Sequence, residues 1–159
     1  MGVLLRGPSG VGKSETALEL IRRGHRLAAD DVVEVRVEGD GLVGASPELI
    51  RHHLEIRGLG ILYVPDLYGR QAVCDEFAVE LCCRLEPWRE GAAYERIGHE
   101  RPSETILGRA LPCLLLPVRP AGNMATLVEV AAKDHRLRAA GVVAADRLDA
   151  RVRQEARRP

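Results

Sequence analysis

Aromatic residues make up only 3% of this 159-residue chain, a scarcity that argues against the stacked-aromatic platforms with which proteins hold bases or sugars. Net charge is lacking too. With 23 basic side chains against 23 acidic ones, no overall field draws the chain to nucleic acid or to an acidic membrane, and partners must be recognised locally. Cysteines are few, at Cys74, Cys82, Cys83 and Cys113, with no C-x-x-C pair among them. Adjacent Cys82 and Cys83 in an apolar run read as reduced core residues, which fits a cytoplasmic location better than a secreted one. No hydrophobic run is long enough to cross a bilayer, and the opening run Met1–Leu5 is too short for a signal peptide. Internal repeats and low-complexity segments are also missing.

What is present is a 46% hydrophobic chain of a length that buries one ordinary core, so one domain is expected. Its most informative stretch is GPSGVGKS: Gly7, Pro8, Ser9, Gly10, Val11, Gly12, Lys13 and Ser14 complete a G-x-x-x-x-G-K-S phosphate-binding loop. The run Met1–Leu5 before it has the character of a buried strand, and Lys13 to Arg23 has that of a helix, stopped by Gly24. A strand that ends in a Gly-rich turn and restarts as a helix aims successive backbone N–H groups at one spot where a phosphate sits. Lys13 then reaches the terminal phosphates and the Ser14 hydroxyl ligates Mg²⁺.

The following segment, Arg26 to Val37, is β-rich and ends at the turn Glu38-Gly39-Asp40-Gly41, with Asp30 and Asp31 in its middle. The helix carries the chain roughly 14 Å away from the phosphate site, and a strand from His25 to Asp30 returns it by roughly 17 to 20 Å. The two aspartates therefore come back beside Lys13. Their possible tasks are to orient Mg²⁺ and to accept the proton of an attacking hydroxyl. Strand alternation turns only one of them directly to the site. Adjacent acids in an otherwise apolar strand are costly without a cation or hydrogen-bond partners, which favours a working role over a solvated one.

Ser46 to Ile50 reads as a turn leading into a half-buried strand from Arg51, a tight turn around Gly58 and Gly60, and a second strand to Val64. Adjacent His52 and His53 would point to opposite strand faces and are read as structural. Glu55, among the glycines, is the better contact for a metal or water. Asp66–Gly69 is expected to turn, and Ala72–Cys74 and Phe77–Leu85 to be core strand. Residues 86–98 read as a charged surface loop with one arginine-bearing strand. Farther on, Cys113–Asn123 reads as a strand and a Pro-flanked turn carrying Arg119, a candidate phosphate clamp. Met124–Ala132 enters another strand or a helix, and Ala139–Pro159 reads as a surface helix.

Taken together, the runs GPSGVGKSETALELIRRGHRLAADDVVEV and LIRHHLEIRGLGILYV, with YERIG, LPVRPAGN and EVAAKDHRL, resemble the C-terminal catalytic domain of HPr kinase/phosphorylase. The resemblance spans nearly the whole chain to about Gly141, residues 142–159 being left as a helix or tail, and HHLEIRGLGI resembles that family's own signature. It implies an α/β fold, a P-loop domain like that of phosphoenolpyruvate carboxykinase, with a mixed, strand-rich core and flanking helices. It also implies a bifunctional enzyme that phosphorylates a seryl hydroxyl of the phosphocarrier HPr from ATP or pyrophosphate with Mg²⁺. The same enzyme would remove that phosphate by phosphorolysis to pyrophosphate, in carbon catabolite control. By the same resemblance, Gly7 to Ser14 hold the donor phosphates, Ser14 and Glu55 bind magnesium, and Lys13 stabilises the transferred group. Asp31 is the base, with Asp30 in that role if the strand phase is reversed. Arg96 is a catalytic arginine, and Pro117, Val118, Arg119, Pro120, Ala121 and Gly122 form the segment tied to dephosphorylation. Relatives form hexamers, which sets the expected assembly.

Two departures from the family pattern stand out. Relatives carry an N-terminal domain and an active-site histidine on a strand upstream of the phosphate loop, and neither is present here. The family's P-G-R-N turn reads Pro120-Ala121-Gly122-Asn123, so an arginine is lost where phosphate would bind in the reverse direction. Two other classes fit the same loop: a small-molecule kinase related to phosphoenolpyruvate carboxykinase, which the HHLEIRGLGI signature disfavours, and a non-catalytic nucleotide-binding regulatory module.

Overall fold

The computed structural model describes residues 1–92, 94–99, 101–119 and 122–156. Gly2–Arg6 forms strand β1, which runs parallel to the long strand β6, Glu76–Pro87, in the register Leu4↔Cys82 and Leu5↔Cys83. On its other edge β6 pairs in parallel with β8, Arg109–Val118, and β8 pairs antiparallel with β7, Ser103–Ile106. The hairpin β2–β3, Glu34–Glu38 and Gly41–Ala45, turns at the expected Gly39-Asp40 and joins the early part of β6 through Val43↔Ala78. A mixed six-stranded sheet results, with a separate two-stranded ribbon, β4 (His53–Ile56) and β5 (Gly60–Tyr63), where the Gly58 and Gly60 turn was expected.

Helix α1, Lys13–Arg22, ends one residue sooner than the sequence indicated, and α3, Met124–Ala139, packs beside it. On the helix side of the sheet, alternate residues Leu81 and Cys83 of β6 meet Val128 and Ala131 of α3 and Leu20 of α1. The opposite face holds Leu4, Cys82, Leu111 and Cys113 under Leu42 of β3. A third cluster sets Leu27, Leu54, Ile56 and Val64 against Ile21 of α1, which docks the ribbon to the phosphate-loop helix. Leu54 and Leu85 are fully buried, each worth roughly 1.5–3 kcal/mol of burial. No helix among the described residues is long and apolar enough to cross a membrane.

Several sequence expectations are corrected. The strand expected over His25–Asp30 shrinks to one parallel bridge, Leu27↔Val73, because the Asp30 carboxylate binds a hydroxyl and a backbone N–H from elsewhere instead of letting its segment join a ladder. The turn expected at Asp66–Gly69 is a short helix α2, Val64–Tyr68, whose Pro65 presets the first turn. No strand occurs between Pro87 and Ser103 among the described residues, so Arg96 lies on an exposed bend rather than on an arginine-bearing strand. Of the expected turn at 117–122, Pro117 and Val118 belong to β8, paired with Glu86 and Pro87; Pro120 and Ala121 lie outside the described residues. Met124 begins a helix because Asn123 caps it, its Oδ1 accepting from Thr126 N at 3.0 Å. The C-terminal surface helix is α4, Ala144–Glu155, separated from α3 by Gly141.

Candidate active site

The phosphate loop leaves β1 at the end where β6 continues past it. Gly7 lies so close to β6 that a Cβ there would stand 2.4 Å from the Leu85 carbonyl oxygen, so only glycine fits. Val11 anchors the loop from beneath in a cluster with Leu85 and Met124. Lys13 Nζ donates to the carbonyls of Gly7 at 3.0 Å and Pro8 at 3.1 Å, holding the ammonium over the loop. Thr16 Oγ1 donates to Gly12 O at 2.6 Å, which ties the loop's last turn to the helix.

Asp30 is committed on both oxygens. Ser14 Oγ donates to its Oδ1 at 2.8 Å, and the Glu55 backbone N–H donates to its Oδ2 at 3.0 Å. One carboxylate thereby joins the phosphate-loop helix to the ribbon. Asp31, next in the chain, is exposed, and its carboxylate has no protein partner among the described residues. Ser14, Asp30, Asp31 and Glu55 line one open cleft of about 930 Å³ with Lys13. The Ser14 hydroxyl and the Asp30 and Glu55 carboxylates are hard oxygen donors, the set that Mg²⁺ takes alongside phosphate oxygens and water. Those residues fit that ion.

The same cleft holds residues that sequence reasoning passed over. Arg57, two positions beyond Glu55, donates to Ser9 Oγ at 3.0 Å, and its guanidinium lies 3.1 Å from where a Gly10 Cβ would be. It has no acidic partner among the described residues. A β-ribbon period of two from Glu55 was the signal that could have found it. Arg6 and Arg84 line the opposite wall, both gripping Glu104 of β7, the second at 3.5 Å.

Two expected residues lie elsewhere. Arg96 is exposed and is not part of the cleft lining. Its neighbour Glu95 accepts from the backbone N–H groups of Gly98 and Ile97, which hold that carboxyl below its ordinary value. Arg119 leaves the end of β8 and stacks on Trp88, 3.9 Å from the ring centroid, while Trp88 stacks on Tyr94 at 4.9 Å. Expected structural residues His52 and His53 flank Tyr63. Buried His52 adopts φ +64°, and its Nε2 lies 3.0 Å from Asp75 Oδ1, an ion-pair distance without hydrogen-bond alignment.

Comparison with known proteins matches residues 1–152 to the model of the HPr Serine kinase C-terminal domain. A protein named HPr kinase/phosphorylase from Exiguobacterium sibiricum is 48% identical over 155 residues, 97% of this chain and 50% of that one. One of the same name from Geobacillus kaustophilus is 53% identical over 153 residues, 96% of this chain and 49% of that one. The chain thus spans about half the length of the curated relatives it matches. Among solved structures, the HPr(Ser) kinase/phosphatase from Coxiella burnetii is similar at a TM-score of 0.83 and 36% identity, over 89% of this chain and 86% of that one.

Proposed function

The chain belongs to the HPr serine kinase C-terminal domain family, and from that membership we propose that it transfers phosphate to and from a seryl hydroxyl of the phosphocarrier HPr. The donor is ATP or pyrophosphate, and the reverse reaction is phosphorolysis by inorganic phosphate. The observation that carries the reading is the division of labour between the two aspartates. Asp30 already accepts from Ser14 and Glu55, whereas Asp31, which lines the same cleft as Lys13, has a carboxylate able to take a proton.

In the forward direction the seryl oxygen forms the new P–O bond, the donor's phosphoanhydride bond breaks, and the seryl proton passes to an Asp31 oxygen. In reverse an oxygen of inorganic phosphate bonds the phosphoseryl phosphorus, the P–O(Ser) bond breaks, and Asp31 returns its proton to the serine as pyrophosphate leaves. Lys13 and the loop N–H groups hold the charge that develops on the transferred group. Ser14, Asp30 and Glu55 would hold Mg²⁺, which when bound supplies countercharge to the phosphates. Arg96 and the segment from Pro117 to Gly122 enter the reading through family resemblance alone: Arg96 as a catalytic arginine, the segment as the part serving dephosphorylation. A cytoplasmic location and a homo-oligomer, six copies by resemblance, belong to the same proposal; light scattering measures the latter.

The test is transfer of label from γ-labelled ATP with Mg²⁺ to purified HPr, followed by a chase with inorganic phosphate. Lys13→Ala should lower the rate by roughly 10²–10³, and the chase should release label as pyrophosphate. Absence of label on HPr from a chain that binds nucleotide would overturn the proposal.

A further inference from the structure

The sheet face turned away from α1 and α3 gathers donors that phosphate transfer does not use. Cys82 of β6 and Cys113 of β8 are side by side in the parallel register. Glu104 of β7 stands opposite Leu111, two residues from Cys113, so the pleat brings its side chain to the same face. One sulfur from each thiol and one Glu104 oxygen all lie within 4.8 Å of one another. Leu4, Leu42, Val79 and Leu111 enclose the two thiols. Glu104 opens the group to solvent, since its half-buried side chain is part of the cleft wall.

The surroundings suit an anionic ligand set. Arg6 and Arg84 both reach Glu104, so two guanidinium charges stand beside donors that would total three negative charges once both thiols ionise. Burial pushes the Cys82 and Cys113 thiols up, so without a cation they are protonated and unreactive. Two sulfurs and one carboxylate oxygen match the preference of borderline and soft divalent ions and mismatch that of Mg²⁺.

We propose that Cys82, Cys113 and Glu104 form a binding site for a thiophilic divalent cation of the Zn²⁺ or Cd²⁺ class, separate from the magnesium ligands. Binding breaks two S–H bonds, forms two metal–sulfur bonds and one metal–oxygen bond, and releases two protons to solvent. Exchange of two protons for one divalent cation leaves the group with the same net charge, so Arg6 and Arg84 still face one negative charge when the site is occupied.

Titrating the reduced full chain with CdCl₂ should raise the ultraviolet thiolate-to-Cd²⁺ charge-transfer band to saturation at a single equivalent. Cys82→Ser and Cys113→Ser should each lose most of the band, and Cys74→Ser should keep it. Glu104→Gln should weaken binding roughly tenfold or more. X-ray absorption on the Cd²⁺-loaded natural chain, which needs no variant to fold, should count two sulfur ligands. A coordination shell without sulfur, or a band that persists in Cys82→Ser and Cys113→Ser, overturns the proposal.

Discussion

Asp30 and Asp31 are chemically identical neighbours, and what separates them is which one is already bound to the protein. A carboxylate that already accepts from Ser14 Oγ and Glu55 N–H is a scaffold for other ligands, whereas an exposed one in the same cleft as Lys13 is available to a proton. Asp31→Asn should lower phosphate transfer by roughly 10²–10⁴, the share general-base catalysis contributes, with nucleotide affinity kept. Asp30→Asn should instead raise the Mg²⁺ concentration needed for half-maximal rate, because Ser14 and Glu55 lose their common anchor. Rate against Mg²⁺, with calorimetric nucleotide binding, checks both; the opposite pattern exchanges the roles. Arg119 illustrates a different constraint. Its face-on contact with Trp88 holds the guanidinium at the exit of β8, and the sequence could not show this because the ring follows β6, whose end is brought beside that of β8 only by the parallel pairing Pro87↔Val118.

At the scale of elements, the start of α3 and the end of α1 are fastened through one side chain. Asn123 Oδ1 accepts from Thr126 N–H at 3.0 Å and from Arg23 Nη2 at 3.2 Å, while Arg23 also reaches Thr126 Oγ1 and Glu129. Asn123→Ala should cost about 1 kcal/mol of stability through the lost cap, measured as a lower urea midpoint with unchanged slope. Elements whose signals are local were legible in the sequence: the strand–loop–helix of residues 2–22, the glycine-hinged ribbon, and the Gly24 stop after the first helix. Glu55, read from its glycine-rich surroundings as a metal or water contact, lines the cleft. Misreadings arose where a side chain competes with the backbone ladder, as Asp30 does, or where Pro65 starts a helix in a segment that otherwise resembles a turn. The grouping of Cys82, Glu104 and Cys113 was hidden because it depends on register between distant segments, whereas Arg57 was within reach of a local reading two positions beyond Glu55.

Taken as a whole, the molecule is formally neutral, with 23 charges of each sign, and some of its ion pairs join separate elements. Glu129 of α3 is held below its ordinary carboxyl value of 4.5 by the hydrogen bond from His25 and then by Arg23. Glu76 of β6 is lowered chiefly by Arg36 of β2. Asp134 is pushed up by burial, but Arg138 and Arg101 carry it below its ordinary value. A carboxyl with a lowered folded-state pKa stabilises the fold above its unfolded pKa and loses that contribution as pH falls through the folded value. The urea midpoint should therefore change little on account of these groups between pH 7 and about pH 5, then fall through the window below 4.5. Glu129→Gln should flatten part of that fall; an unchanged acid profile would show that the α1–α3 pairs contribute nothing. The contact of Gly7 with the Leu85 carbonyl bears on the order of events in folding. The phosphate loop is contiguous in sequence, yet its seat is built by β6 from the middle of the chain, so the loop cannot take its shape until that distant closure is made. During synthesis the loop therefore reaches its final shape only after β6 has been made, and on the proposed function phosphate-donor binding would report on the assembled sheet rather than on the motif alone.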